Sequence, residues 1–175
     1  MAAEEASQDV VLLQQHALDT EFFVRRGVRK GFQAMSLAAL PLYAAFSFSR
    51  YGRNHFTISR LLRASYIGGG VGAVGGGAFE YARSAYSKPD AVRTRRMQVA
   101  YDAADIRADD YSTIGAVLFA VLTPAIFWKR AGAIDLVLGG GAIGSATGVL
   151  THHFKSITGD RPPTVVTPPP QKTVD

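Results

Sequence analysis

The chain has 175 residues, of which 47% are hydrophobic and only 19% charged, and it carries a net charge of +5 with a pI near 9.7. It has no cysteine, which excludes disulfides, thiolate metal sites and thiol catalysis. Its Lys and Arg residues flank apolar runs instead of forming one basic face, which is the pattern of membrane helix ends and not of a nucleic-acid surface.

The first segment, residues 1–30, runs from acidic to basic. Met1 to Val24 holds Glu4, Glu5, Asp9, Asp19 and Glu21 among apolar Val10, Val11, Leu12, Leu13, Leu18, Phe22 and Phe23. It is expected to form a short interfacial helix. It has neither the basic-then-apolar order of a signal peptide nor the Arg-rich, acid-poor composition of a mitochondrial transit peptide.

A four-helix membrane domain is expected over residues 31–153. Window one, Gly31 to Ser49, has no charge and lies between Arg25, Arg26, Arg29, Lys30 and Arg50, Arg53. Window two, Ala64 to Ala82, has one charge, Glu80. Window three is Tyr111 to Trp128, followed by Lys129 and Arg130. Window four, Gly132 to Thr151, has one charge, Asp135. Each is close to the roughly 20 residues that a helix needs to cross a hydrocarbon core. Windows one and three lack the polar face of a soluble amphipathic helix. Pro41 and Pro124 suit membrane helices, where neighbours satisfy the freed carbonyls.

Window two contains seven glycines between Gly68 and Gly77. A flexible linker would be polar, and this stretch is not. Gly70 to Gly75 reads GxGxxG, but the strand, helix and distant acid of a dinucleotide site are missing around it. Gly68, Gly72 and Gly76 fall four apart and share one helix face, and Gly140, Gly144 and Gly148 repeat the spacing in window four. In lipid, helix association depends on close packing, and such faces let backbones approach. The expectation is an all-α membrane protein: four transmembrane helices in two hairpins, with glycine-zipper packing in helices 2 and 4. The glycine helices meet each other, or each meets a bulky partner.

The loop at 83–110 is charged. Its first half is basic at Arg93, Arg95 and Arg96, and its second acidic at Asp102, Asp105, Asp109 and Asp110. Pro89 can open an amphipathic helix there, expected to be a solvated surface helix. The tail at 154–175 is Pro-rich from Gly159 and is expected to be disordered. An even number of crossings puts both ends on one face, and most of the Lys and Arg collect there, so both ends face the cytosol or matrix.

Glu80 and Asp135 are possible intramembrane polar sites, each near a window edge from which it can reach the interface. His152 and His153 point in different directions on a helix, and His16 and His55 have no partner spacing, so no metal site is expected. No nucleophile elbow, HExxH or Ser/His/Asp grouping is present. The expectation is a protein without catalytic residues or cofactor.

Val71 to Asp90 runs from a glycine-rich helix into a charged segment with Lys88, Pro89 and Asp90. This stretch resembles the mitochondrial inner-membrane translocase-like superfamily, which includes import channel subunits and a small accessory membrane subunit of respiratory complex I. The resemblance implies an inner-membrane location, a place among other membrane subunits, and no catalytic residue. Two functions fit: a structural or assembly subunit, or a channel or translocase component. A channel needs polar residues along one face of several helices, and only Gln33, Ser36, Thr113 and Thr147 are scattered candidates.

Overall fold

The computed structural model describes residues 2–51 and 57–159, and among them every regular element is an α-helix. The helices are α1 (Ala2–Tyr51), α2 (Ile58–Ala85), α3 (Pro89–Ala100), α4 (Ala103–Phe127) and α5 (Ala133–Ile157). The tail beyond Gly159, and His55, lie outside the described residues.

The short interfacial helix expected at the N-terminus is not a separate element. The acidic segment, the basic segment and window one form one rod of 50 residues. Between Ala2 and Arg26 there is no glycine or proline to break it. At 1.5 Å per residue α1 is about 75 Å long, more than twice a hydrocarbon core of about 30 Å.

The charged loop is also mostly helix. α3 starts with Pro89 in its first turn, where a missing N–H costs nothing. Asp102 ends the link to α4, and its carboxylate accepts the backbone N–H groups of Ala104 and Asp105 at 3.0 and 3.4 Å. The acidic half of the expected loop is therefore the opening turns of α4, and Asp105 and Asp109 belong to the same helix as window three.

α1 packs along α2, and α4 along α5, as two antiparallel hairpins. α5 joins them by also touching α2 and α1. It is the most enclosed helix, with Leu136, Gly139, Ala142, Gly144, Ser145 and Gly148 all buried. The outer face of α4 is the reverse, with Ile114, Val117, Val121 and Ile126 exposed. Water would not tolerate so broad an apolar surface, whereas lipid tails cover it at no cost.

Three helices are long and apolar enough to cross a membrane: Val10–Arg50 within α1, α4 and α5. This marks a membrane protein. Four such helices were expected. α2 has the length, but its glycines add little hydropathy and it carries Arg60, Arg63, Glu80 and Arg83.

Candidate functional site

The glycines lie where helices approach backbone to backbone. A Cβ added to either Gly31 or Gly72 would come within 3.0 Å of the other's carbonyl oxygen, and the same holds for Gly27 and Gly76. Gly68 faces the Ala39 methyl. In the second hairpin Gly115 and Gly144 stand in the same mutual relation, Gly148 lies on the Tyr111 carbonyl, and Gly140 on Phe119 and Thr123. Gly68, Gly72 and Gly76 therefore face α1, and Gly140, Gly144 and Gly148 face α4. α2 and α5 touch elsewhere, with Leu62 filling the space over Gly139. Gly70 and Gly75, in the same glycine run, have nothing within 4 Å of an added Cβ.

Sequence reasoning missed the glycines on the bulky helices, Gly27, Gly31 and Gly115. The signal was present for two of them, since Gly27 and Gly31 are also four apart, but Gly27 falls inside the basic run.

Ionic contacts tie the two hairpins together at both ends. At the end shared by the basic segment of α1 and the start of α4, Lys30 Nζ lies 2.8 Å from both Asp105 and Asp109. Arg26 also pairs with Asp105, and Gln33 donates to Asp109 at 3.0 Å. Arg26 and Lys30 are one turn apart, as are Asp105 and Asp109, so two adjacent turns of each helix match. At the opposite end Asp135 of α5 accepts from three groups on α2: Ser59 Oγ at 3.3 Å, Arg63 Nη2 at 3.1 Å and Tyr66 OH at 3.2 Å.

Glu80 is likewise partnered. Arg95 of α3 donates to both its oxygens, at 2.8 and 2.9 Å, while its guanidinium sits 4.2 Å from the centre of the Phe23 ring. Arg96 reaches Asp19 and lies over Phe22. These contacts fasten α3 to α2 and α1. The buried Ser112 and Ser145 hydroxyls bond to each other at 2.7 Å across α4 and α5. His152 is buried beside the Tyr111 ring, with its neighbour His153 exposed. An open crevice of about 450 Å³ is lined by Lys30, Gln33 and Leu37 of α1 and by Val149, His152 and His153 of α5.

The half-buried carboxylates Glu80, Asp105 and Asp109 and the buried Asp135 each face a guanidinium or ammonium group from another helix. Such an arrangement fixes helix positions. Comparison with protein-family models, curated proteins and solved structures finds no match to this chain.

Proposed function

We propose that this chain is a non-catalytic structural or assembly subunit of a larger membrane complex in the mitochondrial inner membrane, with respiratory complex I as the candidate assembly. The observation that supports it most is that both hairpins close backbone against backbone while their charged groups pair with one another at the two ends. A solute path would need polar groups lining the whole depth of the bundle, whereas the buried hydroxyls that lack a hydrogen-bond partner among the described residues, Ser36, Ser65 and Ser84, belong to α1 and α2 alone. Interior surface here is spent on fixing the helices, and exterior surface is left apolar for lipid or for neighbouring subunits.

The reading includes four crossings with both ends on one face, and glycine-zipper packing in both hairpins. α2 supports the fourth, because Gly68 to Gly76 lie against the stretch of α1 from Gly27 to Ala39 and so share most of its depth.

The test is made on the endogenous protein. It stays in the pellet after alkaline extraction, and in native gels it migrates with a set of inner-membrane subunits far larger than its own 18.7 kDa. Tags at the two ends are cut or protected together when protease is added to intact inner membranes. Migration as a lone subunit in mild detergent refutes the proposal, and unequal cutting refutes the fourth crossing.

A further inference from the structure

We infer that the end of the bundle where α1 passes to α2 and α4 to α5 is a docking surface for anionic phospholipid headgroups, with Arg50, Arg60, Lys129 and Arg130 as the cations that hold them beside Trp128. This goes beyond the subunit reading and does not depend on it.

The two links lie at one end of the molecule, because Asp135 in the first turn of α5 accepts from Ser59 and Arg63 in the first two turns of α2. Charge is divided unevenly between the two ends. The link end holds Arg50, Arg53, Arg60, Arg63, Lys129 and Arg130 against one acid, Asp135. That excess is the whole net charge of +5, so in the rest of the chain Lys and Arg equal Asp and Glu in number. The one acid is already engaged: Asp135 is buried and paired with Arg63. Arg50, Arg60, Lys129 and Arg130 are exposed, and none has an acidic partner among the described residues. At the far end the basic run of α1 is matched instead, with Arg26, Arg29 and Lys30 on Asp105 and Asp109.

Depth selects the occupant. Arg50 directly follows window one, and Lys129 and Arg130 directly follow window three. These cations therefore stand where hydrocarbon ends and headgroups begin. Trp128 is next to them and 69% exposed, and its amphipathic ring suits that depth. Phosphate groups lie at this level in any phospholipid bilayer. A zwitterionic headgroup carries its own cation beside the phosphate, whereas an anionic one brings net negative charge to a surface that lacks it. An acidic protein would have to reach the same depth and displace the headgroups already there.

Trp128 is the only tryptophan in the chain, so its fluorescence reports the lipid beside this end alone. The full chain is reconstituted in phosphatidylcholine vesicles holding a fixed fraction of lipid brominated high on its acyl chains, either phosphatidylglycerol or phosphatidylcholine. Bromine quenches a tryptophan that it touches. Brominated phosphatidylglycerol quenches as if enriched at Trp128 at least about fivefold over brominated phosphatidylcholine, the factor that one cation near an anionic surface contributes. Salt at 1 M, where the Debye length is about 3 Å, lowers that preference in the unaltered protein. The combined variant Arg60→Gln, Lys129→Gln, Arg130→Gln brings the two lipids near parity. The combined variant Arg83→Gln, Lys88→Gln, Arg93→Gln removes the same charge from exposed positions at the other end and keeps the preference. Equal quenching by the two lipids in the unaltered protein overturns the inference, as does a preference that salt leaves unchanged or an equal fall in the two variants. If the first variant still prefers the anionic lipid but no longer migrates with the endogenous complex, an acidic protein covers this end, and the inference is overturned as well.

Discussion

Gly72→Ala adds one methyl group at the closest point of the first hairpin. That methyl falls within 3.0 Å of the Gly31 carbonyl oxygen and of Met35 Cβ and Cγ. Met35 Cγ can turn aside, but Met35 Cβ and the Gly31 carbonyl are set by the backbone of α1 and cannot. Restoring ordinary contact requires α1 and α2 to part by about 1 Å, and a gap of 0.5–1 Å forfeits a quarter to a half of each lost dispersion contact. The cost is about 1–3 kcal/mol for the methyl, and more for Gly72→Leu. Gly75→Ala is the matched control, since nothing lies within 4 Å of an added Cβ there. Replacing a helical glycine with alanine gains about 0.8–1 kcal/mol in water, so the control is neutral or stabilising. The assay is thermal unfolding of the purified protein in detergent, together with the amount of folded protein recovered from the membrane. Gly72→Ala lowers both, and Gly75→Ala lowers neither. Equal loss at the two positions would mean that glycine is needed for the helix itself, and the close approach to α1 would explain nothing.

The ion pairs and the serine pair give further expectations. Arg63→Asp or Asp135→Arg alone lowers the melting temperature, and the two together recover most of the loss; no recovery in the double variant removes Asp135 from the contact between hairpins. Glu80→Gln weakens charged hydrogen bonds at the α2–α3 junction by about 1.5–3 kcal/mol, so trypsin cuts after Arg83 or Arg93 sooner while the melting of the membrane helices changes less. Ser112→Ala costs about 0.6 kcal/mol, as interhelical hydrogen bonds in membranes do on average, and Ser145→Ala adds little more once the partner is gone. Additive losses from the two serines would mean that they do not bond to each other.

Apolar length and glycine spacing made the helices legible, because both are properties of a single segment. Windows one, three and four appear as parts of α1, α4 and α5. Element ends were harder to read. Window three begins at Tyr111, but α4 begins at Ala103, because Asp102 caps a helix whose first two turns are polar. Hydropathy registers where a helix enters lipid, and capping decides where it starts. The partners of the charges could not be read either. The i, i+4 spacings of Arg26 with Lys30 and of Asp105 with Asp109 are visible in the sequence. Their meeting depends on how α1 and α4 are set side by side, which no local pattern records. Glu80 and Asp135 stood out as charges in apolar windows, but Arg95 and Arg63 were hidden among other arginines.

The two hairpins correspond more closely in their contacts than in their letters. By sequence, a shift of 71, which lays residues 68–77 over 139–148, and a shift of 72 each match four glycines, so the letters alone do not choose between them. The contacts give a shift of 72: Gly72 faces Gly31 and Met35 as Gly144 faces Gly115 and Phe119, and Gly69 faces Phe32 and Ser36 as Gly141 faces Ala116 and Ala120. On the opposing helices every one of these pairs is shifted by 84. Counting identical glycines weights Gly70 and Gly75, which touch nothing, as heavily as Gly72, which touches backbone. The contact overlay weights only residues that a neighbouring helix constrains. It also sets Asp135 at the position of Arg63, so the residues that join the hairpins at one end occupy equivalent places with opposite charge. A repeated hairpin that differs at this position can bind its counterpart there, where two identical charges would repel.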